Sequence, residues 1–532
     1  MFHVEHLPCY NPGMVDVVSR LISTQAELEK SQKKVSYLED ENKLLREKIR
    51  LMNARQFSPS SEAASQLLLF DAEPVAPSPE ADETEHISYN RKKPGRKGVS
   101  PDLETEEVVL DIPEAEKHCG CGAEKVRIGR EETKKTEYVP AKIKAICYIR
   151  YKYACKACQG INGEGPTVSI APLPPSLIDN SPVTPSLMTH ILTAKIADSL
   201  PFYRLEKQYE RLGFALNRNT MASWTITLAE KCEEILQILT EMAKKRAGIN
   251  LDETSIQVMN EENRKNTTKS YMWLLRAGPP LKPDPLKSER EPEIVLYWYQ
   301  PTRSAKVAQD LVANFQGHVQ TDEYKGYHFL HGKDAAEQGW VHVYCLAHVR
   351  RKFVEAAKAS HGQKRSKTLD NAHEIVKDIK AIYQAESQVL DEVLTAEDLL
   401  AKRSQKVVPL LEDLKTKLLN LKDLIPPKTS LGQAIAYALD TLPYVQNYAS
   451  SPYMTLDNNP IENKIRPFAL GRKNWLFANT PAGAHALATW FSLVETAKAN
   501  TWKPDRYLNH LLTGLQNSTP AEALLPTNPP AD

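Results

Sequence analysis

From residue 14 to residue 52 the apolar side chains keep to two positions of a seven-residue repeat. One row holds Met14, Leu21, Leu28, Val35, Asn42 and Ile49; the other, three residues on, holds Val17, Thr24, Ser31, Leu38, Leu45 and Met52. Such a seam predicts a coiled coil between copies of the chain, with the polar Asn42 in one core slot to fix the register. Helical spacing returns over 186–200, which stops at Pro201, and over 203–212, which stops at Gly213. A further helix is expected from Asn219, with Met221, Trp224, Ile226 and Leu228 as its apolar positions. From residue 248 the pattern changes to strands. Residues 249–259, 271–277 and 293–299 are rich in Ile, Val, Tyr and Trp and predict three successive strands. A helix is expected over 304–314, then a strand closing at Asp322 and another over 341–345, before residues 354–450 become helical, charged and rich in Leu, Lys, Glu and Ala.

Three strands, a helix and two more strands is the order of a ribonuclease-H-like fold, in which the first and fourth strands are neighbours. That order sets Asp252 beside Asp322. Glu462, in the segment Asp457-Asn458-Asn459-Pro460-Ile461-Glu462, falls at a helix start beyond the helical stretch, which reads as an insertion. Three carboxylates brought together repel one another and call for cations between them. Hard divalent ions with oxygen ligands, two Mg²⁺ with Mn²⁺ as substitute, suit such a set and drive in-line displacement at phosphate. Asp457 is a rival third acid that could equally cap the helix. Glu253 and Glu323, directly after the two aspartates, are expected to point to the other face.

With 532 residues the chain is expected to hold several domains, and its net charge of +1 hides a segmental distribution. Residues 56–90 carry no Lys or Arg but seven acids, an acidic linker; Arg91, Lys92, Lys93, Arg96 and Lys97 then invert the charge in a segment suited to a phosphate backbone. Further cations stand at Arg218, in the second turn of the helical region, at Arg350, Arg351 and Lys352, and at Arg466, Arg472 and Lys473, the last near Trp475 and Phe477. No apolar run is long enough to span a bilayer, and the N-terminal residues lack the order of a signal peptide, so a cytoplasmic protein is expected. Of the eight cysteines, Cys119, Cys121, Cys155 and Cys158 fall in two close pairs. Cys155 and Cys158 have the spacing of a zinc knuckle, while the other half is either Cys119 with Cys121 or His118 with Cys121, and the strand-like stretch 143–153 fits a small β ribbon between the halves. The Cys345/His348 pair lacks further ligands nearby and reads as structural or DNA-facing.

Several long motifs in order give the chain a specific resemblance. They are Cys155-Lys156-Ala157-Cys158, Leu200-Pro201-Phe202-Tyr203-Arg204, Thr321-Asp322-Glu323-Tyr324-Lys325-Gly326-Tyr327, Cys345-Leu346-Ala347-His348-Val349-Arg350-Arg351-Lys352-Phe353, and Asp457 to Asn463 leading into Gly471-Arg472-Lys473-Asn474-Trp475. The chain resembles the insertion sequence 66 family of transposases, in its long catalytic subunit. The resemblance implies an acidic triad at Asp252, Asp322 and Glu462, a leucine-zipper N-terminus, a zinc module and a helical insertion. Two departures stand out. The first cysteine of the family's usual Cys-x-x-Cys falls on His118. Ala469 stands seven residues after Glu462, where other transposase families often have a basic residue, which leaves Arg466 or Arg472 for that role.

The expected fold class is therefore multidomain α+β: a ribonuclease-H-like α/β catalytic core with an all-helical insertion, preceded by a coiled coil, a small zinc ribbon and a helical DNA-binding domain. The expected boundaries are 1–56 for the coiled coil, 57–100 for the acidic and then basic linker, 101–172 for the zinc-ribbon-like module and 173–244 for a helix-turn-helix-like domain. The core would occupy 245–353 and 451–500 around an insertion at 354–450, with a C-terminal helix and tail at 501–532. The expected activity is that of a bacterial insertion-sequence transposase at the nucleoid: metal-dependent cleavage of transposon ends and attack of the freed 3′-hydroxyl on target DNA. Its expected partners are the terminal inverted repeats, target DNA, a second copy joined through 14–52, and accessory proteins of the same element. A non-catalytic DNA-binding protein and a protein-recruiting scaffold are the rival readings.

Overall fold

The computed structural model describes residues 141–154, 168–283, 290–359 and 367–529, with the isolated positions 42, 45, 109, 110 and 113. The seam over 14–52 (apart from Asn42 and Leu45, both helical), the linker with Arg91, Lys92, Lys93, Arg96 and Lys97, and the five candidate zinc ligands lie outside the described residues. Residues 59–148 form a compact unit distinct from the remainder. Its described residues 141–148 are exposed and carry no strand. The ribbon expected over 143–153 is correspondingly short in the second unit. There, β1 (Lys152–Ala154) pairs antiparallel with β2 (Val168–Ile170), Tyr153 opposite Ser169. Tyr151, Tyr153, Val168 and Ile170 are all exposed, so this ribbon has no buried face to extend it.

The helical region begins with α1 (Pro185–Leu192), capped by Thr184, whose side chain accepts the Leu187 N–H. The single helix expected to residue 200 widens into a π turn at Thr193–Ala197 and ends there. Then follow α2 (Phe202–Arg211), α3 (Arg218–Glu230), capped by the Asn217 side chain, and α4 (Glu233–Lys244). The next strands are β3 (Gly248–Gln257), β4 (Lys269–Ala277) and β5 (Ile294–Gln300). After α5 (Ala305–Val312) comes β6 (Gly317–Thr321), then a 3₁₀ turn at Lys325–Leu330, α6 (Gly332–Glu337) and β7 (Trp340–Tyr344). They build one five-stranded sheet in the order β5-β4-β3-β6-β7. β3, β4 and β5 are antiparallel neighbours, whereas β6 runs parallel to both β3 and β7. The first and fourth strands of the sheet are thus adjacent, as their order in the sequence predicts.

Five helices follow: α7 (Leu346–Ala359), α8 (Lys367–Glu392), α9 (Ala396–Lys406), α10 (Val408–Lys422) and α11 (Ser430–Gln446). They share an apolar core with β7, in which Phe353, Ile375, Leu414, Ala438 and Tyr448 are buried. The chain then returns to the sheet through α12 (Asn459–Trp475), α13 (Pro481–Ala499) and α14 (Pro504–Gln516). These helices, the sheet and α1 to α4 bury one continuous cluster that includes Leu192, Trp224, Leu251, Trp273, Phe468 and Trp490.

β5 is an edge strand, and an uncovered edge invites pairing with another chain. Here α13 closes it. Ser492 and Thr496 stand one turn apart and accept the backbone N–H groups of Tyr297 and Val295 at 2.8 and 3.0 Å, while Asn500 accepts that of Glu293 at 3.0 Å. Thr496 and Asn500 return hydrogen bonds to the carbonyls of Val295 and Glu293. Hydroxyls and an amide at i, i+4 and i+8 of a helix thereby replace the missing strand.

Candidate active site

The parallel register of β3 and β6 sets Asn250 opposite Gln320. Two residues on, along the same face, come Asp252 within β3 and Asp322 just past the end of β6. The amides behind the acids form a buried clasp. Asn250 Nδ2 donates to Gln320 Oε1 at 2.9 Å and to Asn458 Oδ1 at 3.2 Å, and Gln320 Nε2 donates to the Thr455 carbonyl at 2.7 Å. Asn458 immediately precedes α12, and its carbonyl accepts the backbone N–H of Glu462 at 3.2 Å. Three side-chain amides therefore tie together the two strands and the helix that carry the three acids. All three are buried, where an unmade hydrogen bond is expensive.

Charge gathers at the open end of this clasp. Burial first, then repulsion from Asp322 and Glu253, pushes the Asp252 carboxyl well above its usual range; Glu462 adds to this, and the Glu253 backbone N–H, 2.7 Å from Asp252 Oδ1, opposes it. Asp322 Oδ1 accepts the Tyr324 N–H at 3.0 Å, and its Oδ2 lies 4.0 Å from Arg303. Arg303 is occupied on its other side. It pairs with Glu253, which alternation turns from the Asp252 face and which also receives the Tyr327 hydroxyl, and its guanidinium lies 3.6 Å from the centre of the Tyr324 ring. Asp457, the rival third acid, accepts the Asn459 N–H at 3.0 Å and so acts as a cap; burial pushes its carboxyl up to about 6.

A cavity of about 220 Å³ opens beside Asp322, lined by Arg303, Glu323, Tyr324, His348, Lys352 and Tyr437. A larger open depression on α14 is lined by no carboxylate and is remote from this chemistry. His348 brings to the site a half-buried imidazole; burial and Arg351 lower its pKa, while Glu462 and Asp322 oppose that. Cys345 is structural: its buried sulfur accepts the Asn458 N–H at 3.2 Å. Among the described residues no three His, Cys, Asp or Glu side chains are gathered tightly enough to form a ready-made metal cage.

The described cations divide into two groups. Arg218, Arg351, Lys352, Arg466 and Lys473 are exposed, and Arg350 is half-buried. Arg218 lies over the Tyr203 ring and Lys352 over that of Tyr437. Arg472 is turned inward: its guanidinium donates to Thr254 Oγ1 at 3.0 Å and to the Ser255 backbone, pinning α12 to β3. This correction to its reading as a DNA contact has a simple cause, since its place on the helix faces the sheet. Arg303 and the amide clasp were not anticipated from the sequence. The one available signal was a side-chain amide two positions before each aspartate, Asn250 and Gln320.

The chain matches the family profile described as "Transposase IS66 family" over residues 180–486 and a zinc-finger profile of such transposases over 116–159. A third match, to "Transposase C of IS166 homeodomain", covers 44–108. These matches define a DNA transposase of an insertion element with a zinc-finger segment. The chain belongs to the IS66 transposase family. Among its relatives are three proteins of Sinorhizobium fredii. y4jD is 29% identical over 80% of this chain and 80% of its own length. y4qI is 29% identical over 81% and 77%, and y4hP 26% over 80% and 75%. Among the described residues no helix is long and apolar enough to cross a membrane.

Proposed function

We propose that the chain cleaves transposon ends and joins them to target DNA at Asp252, Asp322 and Glu462, on a ribonuclease-H-like core. The observation that supports this best is the register of β3 and β6. It aligns Asp252 with Asp322 while the charge of Glu462 reaches the same carboxyl. Hard oxygen donors that repel one another are the chemistry of a divalent-cation site, and Arg303, 4.0 Å from Asp322, is a cation already in attendance. Mg²⁺ or Mn²⁺ bound by the three acids would lower the pKa of the attacking oxygen and stabilise charge on the leaving one.

The protein's own groups position the DNA. Lys352, His348 and Arg303 face the cavity beside Asp322 and suit a phosphate of the bound strand. Arg351 and Arg466 extend that positive surface along α7 and α12. The segment with Arg91, Lys92, Lys93, Arg96 and Lys97, the helical region with Arg218, and the zinc module read the transposon end. Zinc is held by Cys121, Cys155 and Cys158 with His118 or Cys119. The seam over 14–52 pairs two subunits, one for each end. The test is cleavage of transposon-end DNA in Mg²⁺ or Mn²⁺ by the full chain and by Asp322→Ala. Loss of cleavage in the variant with DNA binding retained supports the site; equal activity in both would overturn it.

A further inference from the structure

Leu476, just past the last residue of the helix that carries Glu462, has φ 67° and ψ −52°. Together with a hydrogen bond of 2.9 Å from the Phe477 N–H to the Trp475 carbonyl, this is a γ-turn of the rare hand, in a region that a branched side chain adopts only under constraint. The constraint is visible on both sides. Upstream, the Leu476 N–H donates to the Arg472 carbonyl at 2.8 Å. Downstream, Ala478 is clamped to the end of β3. Its N–H donates to Gln257, its carbonyl accepts from Met259, and it forms a parallel bridge to Val258. Asn260 Nδ2 then holds the Asn479 carbonyl at 3.1 Å.

Such a turn costs stability, and the apolar side chains it carries are only partly buried in return. Leu476 is 63% exposed and Phe477 43%. Strain that a fold retains while presenting side chains to solvent points to a binding role. The surroundings identify the ligand. The solvent face of α12 carries Arg466, Leu470 and Lys473 towards the turn. The hairpin between β3 and β4, which begins at Asn260, adds exposed Lys265 and Lys269, against a single exposed acid, Glu262. An apolar pair between flanking cations matches a base step between phosphates. At 1.5 Å per residue, the helix sets the turn about 20 Å from Glu462, roughly six base pairs along a duplex held at the acids.

We propose that Leu476 and Phe477 form a wedge that inserts into the base stack of bound DNA and unstacks one step inside the transposon end. The proposal rests on the reading of the chain as a DNA-cutting enzyme whose substrate lies along α12. Its test needs no cleavage. The full chain is bound to its transposon-end duplex, with 2-aminopurine placed in turn at each step up to ten base pairs from the cut, in buffer without Mg²⁺ or Mn²⁺, which leaves the zinc module its metal. Wild type is expected to raise the fluorescence several-fold at one or two adjacent steps. Phe477→Ser is expected to abolish that rise while keeping the wild-type salt dependence of DNA binding. Leu476→Gly relieves the turn, so it is expected to melt at a higher temperature than wild type and still lose most of the fluorescence rise. Bound DNA with no fluorescence change, or an unchanged rise in both variants, overturns the wedge and leaves the cleavage reading intact. A Phe477→Ser chain that changes oligomeric state with fluorescence unaltered assigns the patch to a second copy and overturns it as well. No DNA binding by wild type would overturn both readings.

Discussion

Asn250 donates its side-chain amide to Gln320 across 2.9 Å, and each stands two residues before an aspartate of the candidate site. The same amide reaches Asn458 at the start of the helix that bears Glu462. Asn250→Ala should therefore act on both stability and alignment. Leaving the buried Gln320 and Asn458 oxygens without their donor should cost about 1–3 kcal/mol by denaturant unfolding. If the clasp sets the spacing of the acids, single-turnover cleavage should also fall by roughly tenfold or more with DNA affinity unchanged, since small misplacements of reacting groups are costly.

Lys195 is buried, its ammonium 4.9 Å from the ring centres of Phe202 and of Trp475, and burial lowers its pKa to about 7. The folded pKa lies below the unfolded one, so between about pH 7 and 10.5 the unfolded chain binds more protons, and this group's penalty fades as pH rises through that window. Lys195→Met should stabilise the protein near pH 7 by roughly 2–4 kcal/mol, an advantage that shrinks by more than half by about pH 9.5. Urea unfolding of both chains at the two pH values checks it, and a difference independent of pH would contradict it.

Arg403 is fully buried among the insertion helices, paired with Glu386 at 2.6 Å and donating to the carbonyls of Ser451 and Met454. These carbonyls belong to the segment that leads from the insertion to α12. Arg403→Met should cost about 3–5 kcal/mol, because Glu386 is left buried without its countercharge, held only by the Tyr448 hydroxyl. Adding Glu386→Gln should recover part of the loss but not all, since the two carbonyls stay without their donor. Thermal melts of the single and double variants make the comparison.

The zinc-finger segment 116–159 gives a prediction independent of catalysis. The full chain should carry about one zinc ion, and Cys155→Ser or Cys158→Ser should each lower that content sharply, as read by elemental analysis after dialysis.

The sheet was legible because its strands are buried and bounded by clear changes of pattern, and chain order alone made β3 and β6 neighbours. That neighbourhood is what sets Asp252 and Asp322 side by side. The place of Glu462 depends on reading the insertion as a detour, and the hydrogen bond from Asn459 to Asp457 could not be read from spacing alone. Arg472 was misread because a run of basic and aromatic residues does not say which helix face meets the sheet. Arg303 could not be read, since nothing local to a loop residue tells that it bridges Glu253 and Asp322. The strand expected over 143–153 shrank because alternation specifies a strand only where one face has something to cover it.

The most direct measurement is single-turnover cleavage of transposon-end DNA in Mn²⁺ by Asp252→Asn, Asp322→Asn, Glu462→Gln and Asp457→Asn, each with DNA affinity measured in parallel. The first three should each lose more than about a hundredfold in rate at unchanged affinity, whereas Asp457→Asn, whose amide oxygen can still accept the Asn459 N–H, should stay within about tenfold of wild type. Wild-type rates in any of the first three, or a loss in Asp457→Asn as deep as theirs, would contradict a site built from Asp252, Asp322 and Glu462.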